Sequence, residues 1–454
     1  MTGNLNSLLS SLGNTPDISS FRGNADVKLS VDGSPVRVIG DLGSGQVRGV
    51  VDLSTLSLDK IVPNLPIKAQ LVDGQAIVSS DVLPLLSPKP DLSTAQATVN
   101  LQLATADGTI DTQTRLQNNQ WTTEVTASNL KPNLILAKIA PELPKIDIND
   151  INAQISLSGT LSSLFEENAI LPINANNITV EANGQSLKAR GNIVVSNPLT
   201  VPDANVNLSV EATSTLDDLP LTQLISLVPI QRDLLPEELK LQGVGTFTGN
   251  VIGQNLLTAP TLPGNIKLIG DLTLRNFAFN NRTFEPLLTG KVNATLGQSI
   301  ALDLRGKQDV IAASLQPCTR ADCLAPYLPV AFELRQQAGD QALIAIRGKL
   351  QGDELVAKIE QIPLDILKIA PGGNFGIPGF LSGDVQTEVV INPFTLEGRG
   401  KLVIDKPSIG FVEATQLTAD VVYRDNIARL ENATLSLGQS LSLIHISEPT
   451  RPSS

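Results

Sequence analysis

The sequence predicts an all-β chain: an extended, mostly antiparallel sheet with a few short helices. Three observations carry that prediction. Apolar and polar residues alternate at period two, and Gly, Asn or Asp-Gly breaks the alternation roughly every 8–12 residues, as in consecutive antiparallel strands with one buried face. Aromatic residues make up 3% of the chain against 41% apolar residues, so volume comes from thin layers of Leu, Ile, Val and Ala rather than from a bulky core. Short apolar segments with helical spacing recur, each stopped by a proline.

The pattern is clearest between Pro260 and Leu315. Ile266, Leu268, Leu272 and Leu274 alternate, with Gly270 read as a break between the two pairs. After Arg275 come Phe277, Ala278 and Phe279, then a turn at Asn280-Asn281. Val292, Ala294 and Leu296 alternate next, Gly297-Gln298-Ser299 turns, and Ile300, Leu302 and Leu304 follow.

The rest of the chain repeats this unit. Residues 2–12 have helical spacing and stop at Gly13. Val27, Leu29 and Val31 form a strand turning at Asp32-Gly33, and a second strand runs from near Val36 to Gly43-Ser44-Gly45. A helical patch at 55–61 ends at Pro63. The strand near Ile67–Leu71 is expected to turn at Asp73-Gly74 into Ala76–Val78. Val99, Leu101 and Leu103 continue to a turn at Asp107-Gly108, and Ile155, Leu157, Gly159 and Leu161 mark another strand. Further helical patches lie at 134–140 before Pro141, at 221–228 between Asp217-Asp218 and Pro229, and at 364–370 before Pro371. Gly-Gln-Ser recurs at 184–186, 297–299 and 438–440 as hairpin tips. These recurrences make residues 1–440 one continuous repetitive region with loose repeats of roughly 70–90 residues. Residues 441–454 abandon the alternation, hold the single histidine, His445, and resemble translated adapter sequence, so they read as a non-native tail.

At 454 residues the chain exceeds one compact core, leaving two or three domains or an elongated repeat. A net charge of −12 argues against nucleic-acid binding, which needs dense Lys and Arg. No run of about 18 apolar residues occurs, and the first residues lack a signal peptide's basic and apolar regions. The chain then reads as cytoplasmic or as an internal piece of a longer exported protein. Cys318 and Cys323 are too few for a metal site and read as a small disulfide-closed loop in an oxidising compartment.

No catalytic constellation emerges. Gly43-Ser44-Gly45 with Gly49, and Gly243-Val244-Gly245 with Gly249, are one residue too long for a dinucleotide fingerprint and read as turns or bulges. No Gly-Lys pair continues to Ser or Thr, and one histidine excludes the nucleophile triads. Glu166-Glu167 and Glu237-Glu238 read as solvated charges. No enzyme activity, cofactor or metal is expected.

Two runs resemble the TamB-like branch of the AsmA-like superfamily, in its cyanobacterial and plastid translocation-and-assembly form. One is Pro-Thr-Leu-Pro-Gly-Asn at 260–265 with Gly-Asp-Leu-Thr-Leu-Arg-Asn-Phe-Ala-Phe from Gly270. The other is Leu-Lys-Ile-Ala-Pro-Gly-Gly-Asn-Phe-Gly-Ile-Pro-Gly-Phe-Leu-Ser-Gly-Asp-Val at 367–385. The resemblance covers roughly residues 20–440 as a style of repeat, without the family's membrane anchor or C-terminal domain, as in an internal fragment. It implies a sheet curled into an open, taco-like groove with an apolar floor. The full-length protein would sit in the periplasm, or in a plastid envelope in a plant or alga. It would reach the inner membrane through an N-terminal anchor and the outer membrane beside a BamA- or TamA-like barrel. It would carry phospholipid acyl chains or support outer-membrane protein assembly. The expected groove lining is Leu208, Val210, Ile266, Leu268, Leu272, Leu274, Val292, Leu296, Ile300, Leu302 and Leu304. The rival expectations are a parallel β-helix, either an adhesin or a polysaccharide-active protein, and a purely structural periplasmic scaffold.

Overall fold

The computed structural model describes residues 23–31, 34–43, 46–54, 69–81, 91–105, 108–130, 150–161, 168–182, 184–198, 201–217, 240–279, 282–338, 341–364, 382–409, 412–424, 427–437 and 440–443. Strands account for 79% and no helix occurs among the described residues, so the chain is all-β. The helical segments expected at 2–12, 55–61, 134–140 and 221–228 lie outside the described residues, as does 365–370 of the last. Contacts divide the chain into two compact units.

The first unit contains β1 (Gly23–Val31), β2 (Ser34–Gly43), β3 (Gln46–Asp52), β4 (Ala69–Asp81) and β5 (Gln96–Thr105). It continues with β6 (Gly108–Gln117), β7 (Gln120–Leu130), β8 (Ile151–Thr160), β9 (Ile170–Ala182), β10 (Gln185–Ser196) and the Asp203–Ser209 half of β11 (Asp203–Thr215). From β1 to β10 each strand pairs antiparallel with the next in the chain. A parallel β-helix has no such ladder.

The second unit takes the remainder of β11, then β12 (Leu241–Gly253), β13 (Ile266–Phe279), β14 (Arg282–Thr283), β15 (Leu287–Thr295) and β16 (Ser299–Arg305). There follow β17 (Val310–Pro317), β18 (Tyr327–Ala338), β19 (Gln341–Gln351), β20 (Glu354–Pro363) and β21 (Ser382–Ile391). The last are β22 (Gly398–Ile409), β23 (Val412–Glu413), β24 (Gln416–Arg424), β25 (Ile427–Leu437) and β26 (Ser440–Leu443). The two-residue β14 and β23 extend hairpins; the longer strands from β13 onward pair antiparallel in chain order. Among the described residues β26 pairs with β25 alone, and the ladder does not close into a barrel.

Without β14 and β23, the four proline-stopped segments at 55–61, 134–140, 221–228 and 364–370 follow the third, seventh, eleventh and nineteenth strands. One sequence repeat therefore corresponds to four strands. Bulges interrupt the register repeatedly, for example between Ala127 and Leu130 and between Ile359 and Ile362. Each bulge bends its strand and increases the local twist, which curves a sheet of this length.

Three expectations are corrected. Gly270 does not break a strand, because β13 runs through it opposite Val292. Its glycine answers a close approach instead: a Cβ there would stand 2.7 Å from Gly249 Cα and 2.4 Å from Thr248 O on β12. Asp73-Gly74 is not a turn, because β4 continues through it with a register shift between Leu71 and Asp73. The alternation also outlasts Leu441, since Leu441-Ser442-Leu443 pairs with β25 before the described chain ends.

Candidate functional site

The register of the second unit fixes which side chains share a face, since directly opposed residues point the same way. One row runs from Gly270 through Val292, Leu302 and Ala313 to Phe332. It continues through Gly348, Ala357, Val389 and Gly400 to Val421 and Leu430. The adjacent row on the same face runs from Leu272 through Gly290, Leu304, Ile311, Leu334, Ile346 and Ile359 to Thr387 and Leu402. Neither row contains a charged residue. Most of these side chains are half-buried, although described strands have extensive contacts only with ladder neighbours.

The opposite face carries charges of both signs. Its central row reads Asp271, Lys291, Asp303, Ala312, Glu333, Arg347, Lys358, Glu388, Lys401, Asp420 and Glu431. Ion pairs lie along and beside it, among them Lys291–Asp271 at 2.5 Å and Arg347–Glu360 at 2.7 Å. These groups are exposed, so each pair contributes little to stability; the face is built for water. At Ala312 the row loses its charge, leaving a shallow depression of about 410 Å³ floored by Ala301, Ala312 and Ala331.

The expected lining residues all lie on shielded sides of strands. Leu274 and Leu304 are fully buried, at 7% and 1% exposure, and Val210 is also buried. Ile266, Leu268, Leu272, Val292, Leu296, Ile300, Leu302 and Leu208 are half-buried. Leu208 falls in the first unit and the other ten in the second. Of the residues at the opposite parity, Asp303 is exposed and Thr273 half-buried. The sequence reading missed most of the second unit's floor, including Phe332, Ile346, Val389 and Val421. Phe332 and Leu334 alternate with Glu333 and Arg335 and were legible as one face; further along, bulges between Gln336 and Gln337, Ala345 and Ile346, and Ile359 and Ile362 interrupt the pattern.

The two edges of the second unit's apolar face close differently. At the edge where β13 turns into β15, Leu216, Leu274, Phe277, Phe284, Leu288 and Leu304 form a buried cluster. The Phe277 and Phe284 rings lie 5.1 Å apart and tilted by 52°. Polar groups seal its outside: buried Asp309 accepts the Glu285 N–H at 2.7 Å and the Gln337 N–H at 2.8 Å. Gln336 donates through Nε2 to the Thr283 carbonyl. A second buried cluster, Leu364, Val385 and Ile404, occupies the same edge at β20–β22.

At the other edge Cys318 and Cys323 form a disulfide. Arg320, inside that loop, donates to both Asp322 oxygens at 2.9 and 2.7 Å and to Asp353 Oδ2 at 3.0 Å. Its guanidinium carbon lies 3.9 Å from the centroid of the Phe394 ring. The hydrogen bond between them holds the Asp322 carboxyl below its ordinary value and raises Arg320.

In the first unit the corresponding row runs from Val27 through Val38, Val51, Ala76 and Val99 to Thr114, Thr123, Leu157, Ala175 and Gly191. It too lacks charge, but hydroxyls interrupt it; Thr114 and Thr123 hydrogen-bond to each other at 2.8 Å. Among the described residues no cluster of His, Cys, Asp or Glu could hold a metal, and no helix is long and apolar enough to cross a membrane. No family model matches the chain, and no curated protein or solved structure matches it either.

Proposed function

We propose that the chain is a non-enzymatic segment of a TamB-like, AsmA-like bridge that binds phospholipid acyl chains on its apolar face and lets them pass along it. In this reading it belongs to a longer periplasmic protein that serves lipid transport between the membranes, outer-membrane protein assembly, or both. The observation that carries the proposal is the uncharged row from Gly270 to Leu430, which crosses eleven paired strands beside a second uncharged row. An apolar face of that extent calls for an occupant, and acyl chains need continuity rather than specific donors.

The test uses photo-activatable phospholipid and inward-facing charges. Leu272 and Leu302 pack against the buried cluster, so a charge at either risks unfolding the sheet. Val389→Asp and Val421→Arg interrupt the floor away from that cluster, where a charge costs several kcal/mol to desolvate. Both variants should retain strand circular dichroism yet lose lipid crosslinking, whereas Asp303→Lys on the charged face should crosslink normally. Absence of crosslinks in the unaltered protein would leave a structural scaffold as the better reading.

A further inference from the structure

We infer that the Cys318–Cys323 loop is a redox-operated latch that fixes one edge of the second unit's sheet through Arg320. This inference concerns the order of that edge and does not depend on lipid binding.

The latch spans three hairpin connections on the same side of the ladder. The loop itself joins β17 to β18, Asp353 lies in the turn between β19 and β20, and Phe394 lies between β21 and β22. Turns on one edge of an antiparallel sheet are normally joined only through their strands. Here one guanidinium bonds to Asp322 within the loop and to Asp353 in the next turn, and it stacks on Phe394 in the turn beyond. On the other side of the loop, Tyr327 is buried and its hydroxyl accepts the Gly297 N–H at 3.0 Å from the β15–β16 turn. Arg320 therefore ties the loop to the two turns after it, and Tyr327, at the start of β18, ties the same edge to the turn before it.

Arg320 has little else to hold it. It is exposed on the tip of the loop, where an unrestrained arginine samples many rotamers. The backbone bonds Cys318 N to Pro326 O at 2.9 Å and Cys323 N to Arg320 O at 3.4 Å shape the loop, and the disulfide closes it over four intervening residues. That closure presets the Arg320 backbone for all three contacts at once. Both cysteines are half-buried beside exposed neighbours, within reach of a small or protein dithiol. Reduction proceeds by thiolate attack through a mixed disulfide. Two electrons and two protons pass from the dithiol to the bridge, leaving Cys318 and Cys323 as thiols and the dithiol as a disulfide.

The experiment is hydrogen exchange read by mass spectrometry on the full chain, oxidised and after dithiothreitol. Reduction should speed exchange at the turns holding Asp353 and Phe394 by roughly five- to tenfold, the combined scale of an exposed ion pair and a cation–π contact. The strands β13, β15 and β16 should be unchanged. Arg320→Gln, with the disulfide intact, should reproduce the same loss at both turns. Unchanged exchange on reduction would overturn the latch. So would a reduction effect that Arg320→Gln fails to reproduce, because the loop would then act through its backbone alone. Cys318→Ser guards against incomplete reduction and should match the reduced protein.

Discussion

The two units share one alternation rule and bury different side chains with it. Among the described residues of the first unit, the buried apolar ones are Val36 and seven alanines, including Ala76, Ala127 and Ala175. In the second they include Leu274, Phe277, Phe284, Leu288, Leu304, Tyr327, Leu328 and Ile344. The outward rows differ in the same sense. The first unit's row is charged at Lys28, Arg37, Asp52 and Glu124 but carries the amides Gln75, Asn100 and Gln113 at its centre, with a hydrogen bond from Gln113 to Asn100 at 3.2 Å, whereas the second is charged at nearly every position. Period-two patterning thus suffices to make a sheet with one apolar side, but large side chains at the edges decide whether that sheet acquires buried clusters. Among the described residues, the buried clusters fall in the second unit, at one edge of its sheet.

The largest expected effect tests that distinction. Leu304→Ala, at 1% exposure, should destabilise the second unit by about 2–5 kcal/mol in denaturant unfolding. Val99→Ala, half-buried in the first unit's floor, should cost about 1 kcal/mol or less, because little cavity forms where the side chain is already open to solvent. Equal costs would erase the contrast.

Asp309→Ala comes next. Two backbone donors, Glu285 N and Gln337 N, would lose their carboxylate at a buried position. Hydrogen bonds to a charged group contribute about 1.5–3 kcal/mol each, so a loss of roughly 3 kcal/mol is expected by the same unfolding assay. A loss below about 1 kcal/mol would mean that water replaces the carboxylate and that the edge is not sealed.

A smaller effect separates the outward faces. Lys401 stands between Glu388 and Asp420 in the charged row. Lys401→Glu would bring four carboxylates into line, with Glu431 beyond Asp420, and should cost about 0.5–1 kcal/mol at low salt, shrinking as salt is added. Gln113→Glu in the amide row should cost less, since its neighbours are Asn100 and Glu124. A salt-independent loss at Lys401 would point to packing rather than charge.

The smallest effect is a pH dependence confined to the disulfide edge. Arg320 holds the Asp322 carboxyl below its ordinary value of 3.8. A lowered folded pKa gives a contribution that is present above the unfolded value and lost as pH falls through the folded one. Hydrogen exchange at the Asp353 and Phe394 turns should therefore hold steady from neutral pH down to the ordinary carboxylate range, once corrected for intrinsic rates. It should accelerate only below that range, and acceleration near pH 6 would exclude Asp322 as the cause.

The sequence by itself determined the strand class and the side each clean strand hides. Period-two alternation is local and needs only the pleat, so Ile266, Leu268, Leu272, Leu274, Ile300, Leu302 and Leu304 were legible as one face. Tertiary structure decided what alternation cannot encode. Gly270 and Asp73-Gly74 looked like interruptions because glycine marks turns in a one-dimensional pattern, yet a neighbouring backbone or a bulge accounts for them. Phe332 alternates as plainly as the residues before it, whereas floor residues past the bulges, such as Val389, follow parity shifts that the sequence does not announce. The cysteine pairing was legible from spacing, but the partners of Arg320 were not. Asp353 and Phe394 lie 33 and 74 positions away in the chain, and only the ladder brings their turns to one edge.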